Sequence, residues 1–231
     1  MTVEDSVIVE DASKTRVIAI DGPAGSGKST VARALADRLG LPYLDTGAMY
    51  RSVAFAVLRA AGDPDDLEFA ANAARSIELD MSDGRVVVNG VDATLPIRSP
   101  DVTRAVSAVA ANPLVRRELV SRQREWVERR GGGVLEGRDI GTAVFPNAQL
   151  KVYLTADVQV RAQRRARELT ELDLQAVAAE LTRRDTVDSN READPLVEAH
   201  DAVIVDTTAL AIDEVVNHIV ALLPSDIVDR G

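Results

Sequence analysis

Gly22-Pro23-Ala24-Gly25-Ser26-Gly27-Lys28-Ser29 is an unbroken G-x-x-x-x-G-K-S, and its reading decides the fold. Glycines at this spacing let successive backbone N–H groups turn toward one anion. Lys28 then reaches the outer phosphates of a nucleoside triphosphate, and the Ser29 hydroxyl serves a magnesium ion. The flanks agree with that reading. Arg16-Val17-Ile18-Ala19-Ile20-Asp21 has the character of a buried strand running into the loop, and Val31, Ala34, Leu35 and Leu39 recur at helical spacing just after it. Strand, loop and helix start together place the positive end of a helix dipole under the phosphates. Nucleotide phosphate contacts are therefore expected along Gly22, Pro23, Ala24, Gly25, Ser26, Gly27, Lys28, Ser29 and Thr30.

Whole-chain properties narrow the partner. At 231 residues and 46% hydrophobic content, the chain is long enough to bury a sizeable core. A formal charge of −10 repels a polyphosphate backbone, so a small-molecule partner is expected and nucleic acid is not. The absence of cysteine excludes disulfides and thiolate metal sites, and two histidines, His200 and His218, are too few and too scattered for zinc. No apolar run approaches membrane-spanning length, and the first fourteen residues are acidic and polar, so no membrane association and a cytoplasmic location are expected.

Beyond the loop, Leu41 to Thr46 reads as a second short strand, followed by a helix with Met49, Val53, Val57 and Leu58 on one side, which Gly62-Asp63-Pro64 breaks. A short helix is expected over 65–75. Ile77, Leu79 and Met81 then alternate with polar neighbours, Asp83-Gly84 reads as a hairpin turn, and Arg85 to Gly90 as a second strand and a second turn, predicting a small antiparallel insert over about 76–96. Ser99-Pro100 and Asn112-Pro113 each set a capping side chain before a proline at the first helical position, so two helices should begin there, the second running to Gly131. Further strands are expected at Val134 to Asp139, Gln149 to Leu154 and Ala202 to Asp206, an arginine-rich helical region over 157–191, and a closing helix on Ile212, Val215, Val216, Ile219, Val220 and Leu223. Strands alternating with helices predict an α/β fold: a parallel sheet covered on both faces, with ligands at the carboxyl ends of the strands, where Asp45, Glu136 and Arg138 lie. One domain spanning 1–231 is expected, with its core at 15–75, 97–156 and 192–223.

A phosphate-binding loop serves kinases, switches and motors alike. No Asn-Lys-x-Asp motif of guanine-specific switches occurs, and no apolar strand ends in the Asp-Glu pair usual in motor and assembly ATPases. What the chain offers instead is arginine at separated points that the topology would gather. Arg51 follows the second strand, Arg138 sits at a strand end, and Arg184, Asp188 and Arg191 have the spacing of one helix face. Transfer between two anions needs several fixed cations, because the reactants repel and charge shifts during the reaction.

In these motifs the chain resembles bacterial cytidylate kinases, the nucleoside-monophosphate kinases of CMP and dCMP. The likeness runs through Ile20 to Lys28, Leu44 to Arg51, Ser107 to Ala110 with Val115-Arg116, Glu136 to Thr142, Val144 to Pro146, and Arg184-Asp185 to Arg191. It implies a nucleoside-monophosphate kinase fold with a five-stranded parallel sheet, a helical lid over 157–191, ATP as donor with Mg2+, CMP or dCMP as acceptor, and a monomer. Residue by residue, it implies that Arg51, Arg138 and Arg191 grip the acceptor phosphate, and that Arg184 and Asp188 meet the ribose. It sets Thr46, Ser107, Arg116 and Asp139 around the acceptor nucleotide. Arg161 and Arg165, one helical turn apart, resemble lid arginines near the ATP base and the transferring phosphate. Cytosine's amino donor beside two acceptors independently suits Asp139 facing the amine and Arg116 with Ser107 facing the acceptors. Thr46 and Glu136 stand where relatives often carry Ser and Asp; Glu136 keeps the charge with a longer reach, and could order a magnesium-bound water. The alternatives are a related kinase of UMP or a shikimate-type alcohol, and a nucleotide-dependent switch or assembly ATPase.

Overall fold

Strand β1 (Arg16–Asp21) is the axis of the sheet, because five consecutive residues, Val17 to Asp21, are buried. Such a run suits a strand covered on both faces. The computed structural model describes residues 16–82, 84–168 and 173–223. With β2 (Tyr43–Asp45), β6 (Gly132–Glu136), β7 (Leu150–Thr155) and β8 (Val203–Asp206), β1 forms a five-stranded parallel sheet in the order β2-β6-β1-β7-β8. Successive side chains of β1 serve opposite faces. Val17 and Ala19 enter a core shared with α2 (Thr46–Arg59), α4 (Pro100–Ala111) and α5 (Pro113–Arg130), while Ile18 and Ile20 enter a second core with α1 (Lys28–Leu39) and α8 (Ile212–Ala221).

Local signals place the helix starts. Asn112 accepts from the Leu114 and Val115 N–H groups ahead of Pro113, Ser99 accepts from Val102 N–H ahead of Pro100, and Asp45 accepts from Ala48 N–H at 2.8 Å. Helix α1 differs. It begins after Gly27, at φ 91°, with no side chain bonded to its first turn, so its N–H groups stay available to an anion.

Helix α3 (Leu67–Ser76) leads to the insert, a three-stranded antiparallel sheet of β3 (Leu79–Asp80), β4 (Val87–Val88) and β5 (Val91–Asp92). Asn89 and Gly90 make the second turn, both with positive φ. Asp83 of the first turn lies outside the described residues, as do the acidic leader and the chain from Pro224 onward.

Four details depart from the sequence reading. A 3-10 turn occupies Pro96–Arg98, and a wide turn at Ile140–Val144 closes with a hydrogen bond from Phe145 N–H to Ile140 C=O at 2.7 Å. The arginine-rich region divides into α6 (Val158–Glu168) and α7 (Leu174–Asn190), which pack together. Arg191 does not share the helical face of Arg184 and Asp188, because the chain leaves the helix there for extended backbone at φ −65° and ψ 143°. Among the described residues no helix is long and apolar enough to cross a membrane.

The loop depends on one close approach to the sheet. Gly22 has φ 146°, and a Cβ there would lie 2.1 Å from the backbone oxygen of Leu154. Gly22→Ala is expected to cost at least about 2 kcal/mol of stability, because both the backbone angle and the clash oppose it. Urea unfolding measures this; an unchanged midpoint would show that the loop need not lie against β7.

Candidate active site

Two clusters meet at the carboxyl edge of the sheet. The first surrounds the glycine loop. Lys28 is buried and its ammonium donates to the Pro23 carbonyl at 2.7 Å, folded back on its own loop. Burial pushes its pKa down and the neighbouring Arg138 charge pushes the same way. Ser29 Oγ donates to Glu136 Oε2 at 2.9 Å, and the Tyr43 hydroxyl donates to Glu136 Oε1. Burial raises the Glu136 pKa, with the Asp45 charge on the paired strand adding to it. A carboxylate in that position favours a cation beside it.

The helices α6 and α7 brace the loop from outside. Asp185 Oδ1 accepts from Ala24 N–H at 2.9 Å, Arg161 donates to the Ala24 carbonyl at 2.9 Å, and the two side chains pair with each other. Arg161 is thus engaged with the loop backbone and with the Ala156 carbonyl. Thr207, just past β8, donates to the Ser26 carbonyl at 3.1 Å and receives Arg164 Nη1 at 2.9 Å.

The second cluster is a pocket beside Arg138. Of the nine residues expected around the acceptor, eight line it: Thr46, Arg51, Ser107, Arg138, Asp139, Arg184, Asp188 and Arg191. Arg51 is aimed by hydrogen bonds of 3.0 Å to the Ile97 carbonyl and to Thr103 Oγ1. Arg138 Nε donates to Asp188 Oδ2 at 2.9 Å, and Arg191 Nη2 donates to Asp139 Oδ1 at 3.0 Å. Burial first, then the charges of Arg184, Arg165 and Arg98, push Arg51 down to about 9. Burial first, then Arg138, pushes Arg184 down to about 10, with Arg165 again opposing its charge. These guanidiniums destabilise one another, and a bound anion relieves that repulsion. Arg165, on α6, is thus near enough for its charge to bear on both Arg51 and Arg184.

Arg116, the ninth, stands behind the pocket. It is 2% exposed, its Nη2 donates to Asp139, its Nε to Asp194 at 2.7 Å, and its charge lies 5.6 Å from the Tyr50 ring centre. In this structure it holds Asp139 instead of lining the wall. Sequence reasoning missed several supports. Asp21 accepts from Ile140 N–H at 2.9 Å and Gly141 N–H at 2.7 Å, tying the loop strand to the turn that carries Asp139. Burial, with Asp139 adding, raises its pKa to about 6 even though these N–H groups pull it down. A charged residue ending an apolar strand was the visible signal. Tyr43, Thr207 and Asp194 gave none.

The cytidylate kinase family model matches residues 18–225 of the chain. The chain belongs to the cytidylate kinase family. Among its relatives, the cytidylate kinase of Ligilactobacillus salivarius (strain UCC118) is 48% identical over 214 residues, 89% of this chain and 95% of that protein. The cytidylate kinase of Mycobacterium leprae (strain Br4923) is 47% identical over 211 residues, 90% of this chain and 95% of that one. A bifunctional pantoate ligase/cytidylate kinase of Synechococcus sp. (strain WH7803) is 48% identical over 215 residues, 89% of this chain and 44% of that protein. Membership in the cytidylate kinase family makes this chain a nucleoside-monophosphate kinase, a phosphotransferase.

Proposed function

We propose that this chain transfers the γ-phosphoryl group of ATP to CMP and dCMP, giving ADP with CDP or dCDP. One observation carries the reading: Arg51, Arg138 and Arg191, distant in sequence, line one pocket, and Arg138 is close enough to Lys28 for each charge to bear on the cleft. That arrangement suits two phosphate groups held head to head.

ATP lies with its phosphates on the N–H groups of Gly25 to Thr30, and Lys28 turns from the Pro23 carbonyl to the β and γ oxygens. The acceptor phosphate enters among Arg51, Arg138 and Arg191, and the ribose meets Arg184 and Asp188. The attacking oxygen is already anionic, so no general base is needed. Lys28, Arg138, Arg191 and Arg165 stabilise charge as it spreads over the transferring group. Packing of α6 and α7 over the loop excludes water and keeps ATP from hydrolysis.

The residues present fit magnesium. Ser29 and Glu136 offer hard oxygen donors 2.9 Å apart. Among the described residues no group of three or more His, Cys, Asp or Glu could hold a metal, so these two side chains would hold magnesium only together with a bound nucleotide. Magnesium held there by Ser29, with Glu136 ordering a bound water, would offset the negative charge of the phosphates. Tyr43 holds the Glu136 carboxylate toward Ser29.

Asp139 faces the cytosine amino group. Uracil presents a carbonyl there, and two acceptors meeting in a buried site leave a charge unpaired. Asp139→Asn supplies an amide that satisfies either base, and is expected to narrow the CMP over UMP preference by about tenfold or more. The ratio of kcat/KM for the two acceptors, from coupled ADP release, checks it. An unmoved ratio removes Asp139 from base recognition.

A further inference from the structure

The sequence motifs end at Arg191, yet two arginines at the acceptor pocket are held by a residue beyond them. The segment after α7 folds back at once: Leu196 N–H donates to the Asp188 carbonyl at 2.8 Å, and farther along Asp201 accepts from buried Lys151 at 2.8 Å. Within the first of these turns, between Asp188 and Leu196, stands Asp194, one of three non-glycine residues with positive φ among those described, at 47°. Asp tolerates that conformation better than most residues.

Its backbone and side chain do different work. The Asp194 carbonyl accepts from Arg191 Nε at 2.7 Å, and its carboxylate accepts from Arg116 Nε at 2.7 Å. Asp139 completes the figure by accepting from both arginines. Two arginines, two carboxylates and the Asp194 backbone carbonyl thus form a closed ring behind the pocket. Arg116 is fully enclosed, so its charge must always be answered. If Asp139 were its sole carboxylate, the pair would tighten as the site dried, and Asp139 would be drawn away from the base.

We infer that Asp194 is a specificity-determining positioning residue: it neutralises Arg116 from the Nε side and so frees Asp139 to bind the acceptor base. This rests on the acceptor assignment above. Asp194 need not touch the nucleotide; it acts through Arg116. Because the Asp194 side chain is 40% exposed, water answers part of the lost charge, and the effect is intermediate in size.

Asp194→Gly tests it cleanly, since glycine accepts the positive φ and keeps the carbonyl that holds Arg191, deleting only the carboxylate. The expected result is a rise of about tenfold in KM for CMP, a kcat within about threefold of wild type, an unchanged KM for ATP, and a smaller CMP over UMP ratio of kcat/KM. Asp194→Asn, which tolerates the same backbone and can still accept from Nε but carries no charge, is expected to keep most of the KM defect. The unchanged ATP constant certifies that each variant is folded. A wild-type protein that phosphorylates CMP while Asp194→Gly keeps the wild-type KM and base preference overturns this inference and leaves the acceptor assignment standing. Full recovery of KM and base preference in Asp194→Asn also overturns it, because the hydrogen bond and not the charge would then be what matters. A wild-type protein with no activity toward CMP removes the acceptor assignment and this inference together.

Discussion

Lys28→Ala is expected to lower kcat for CMP phosphorylation by about 10³-fold or more, the loss of about 4 kcal/mol of transition-state stabilisation typical for one well-placed charge in a dry site. The same substitution should leave the fold intact. Lys28 is 6% exposed, and burial holds its pKa below the ordinary lysine value, so the charged form is disfavoured in the free protein. The sign follows from linkage. A lysine whose folded pKa is depressed binds fewer protons in the folded chain than in the unfolded one, so across that window its charge opposes folding. Removing it takes away a strained group, offset by a small cavity, and the melting temperature should stay within a few degrees of wild type. Turnover by coupled ADP release and thermal unfolding on one preparation check both halves. Normal turnover would remove the loop from the reaction, whereas a collapsed melting temperature would make Lys28 a structural residue.

That contrast also explains which parts of the molecule were legible in the sequence. The loop, the caps at Asn112 and Ser99, and the buried run of β1 are written in adjacent residues, because backbone angle, first-turn hydrogen bonding and burial are local. The acceptor arginines became legible through a weaker argument, that a phosphate pocket must collect cations and that strand ends are where the topology collects them. The supports were hidden because they join residues far apart in the chain. Asp21 meets the N–H groups of Ile140 and Gly141 some 120 positions away, and Thr207 reaches Ser26 across 181 positions. No periodicity marks such pairs. Arg191 shows the opposite failure. Its spacing from Arg184 and Asp188 pointed to a helical face, but α7 ends at Asn190, and Arg191 enters the pocket from extended backbone held by Asp194. Arg116 is a third case. An arginine on a helix is usually solvated, and only the fold shows that this one is enclosed by Tyr50, Asp139 and Asp194.

Arg138→Ala should reduce kcat/KM for CMP by about 10³- to 10⁴-fold, a larger loss than for any other acceptor-side arginine, with KM for ATP changed only a few-fold. Arg138 alone stands at the carboxyl end of the central strands, with its charge felt at Lys28 and its Nε on Asp188. In the proposed reading it faces both phosphate groups at once, and its contribution grows as charge moves from one to the other. Arg138→Lys should recover little, because an ammonium cannot present a planar fork to two oxygens. Stability separates a catalytic role from a structural one. Truncation leaves the buried Asp188 carboxylate short of its closest partner, with Arg184 nearby as a partial substitute, and should cost about 2 kcal/mol. Adding Asp188→Asn removes the unpaired charge, so the double variant should regain most of that stability and none of the activity. Urea unfolding and steady-state kinetics on the two single variants and the double variant decide the matter. If activity returned together with stability, Arg138 would merely hold Asp188 in place, and the phosphate grip would have to rest on Arg51 and Arg191 alone.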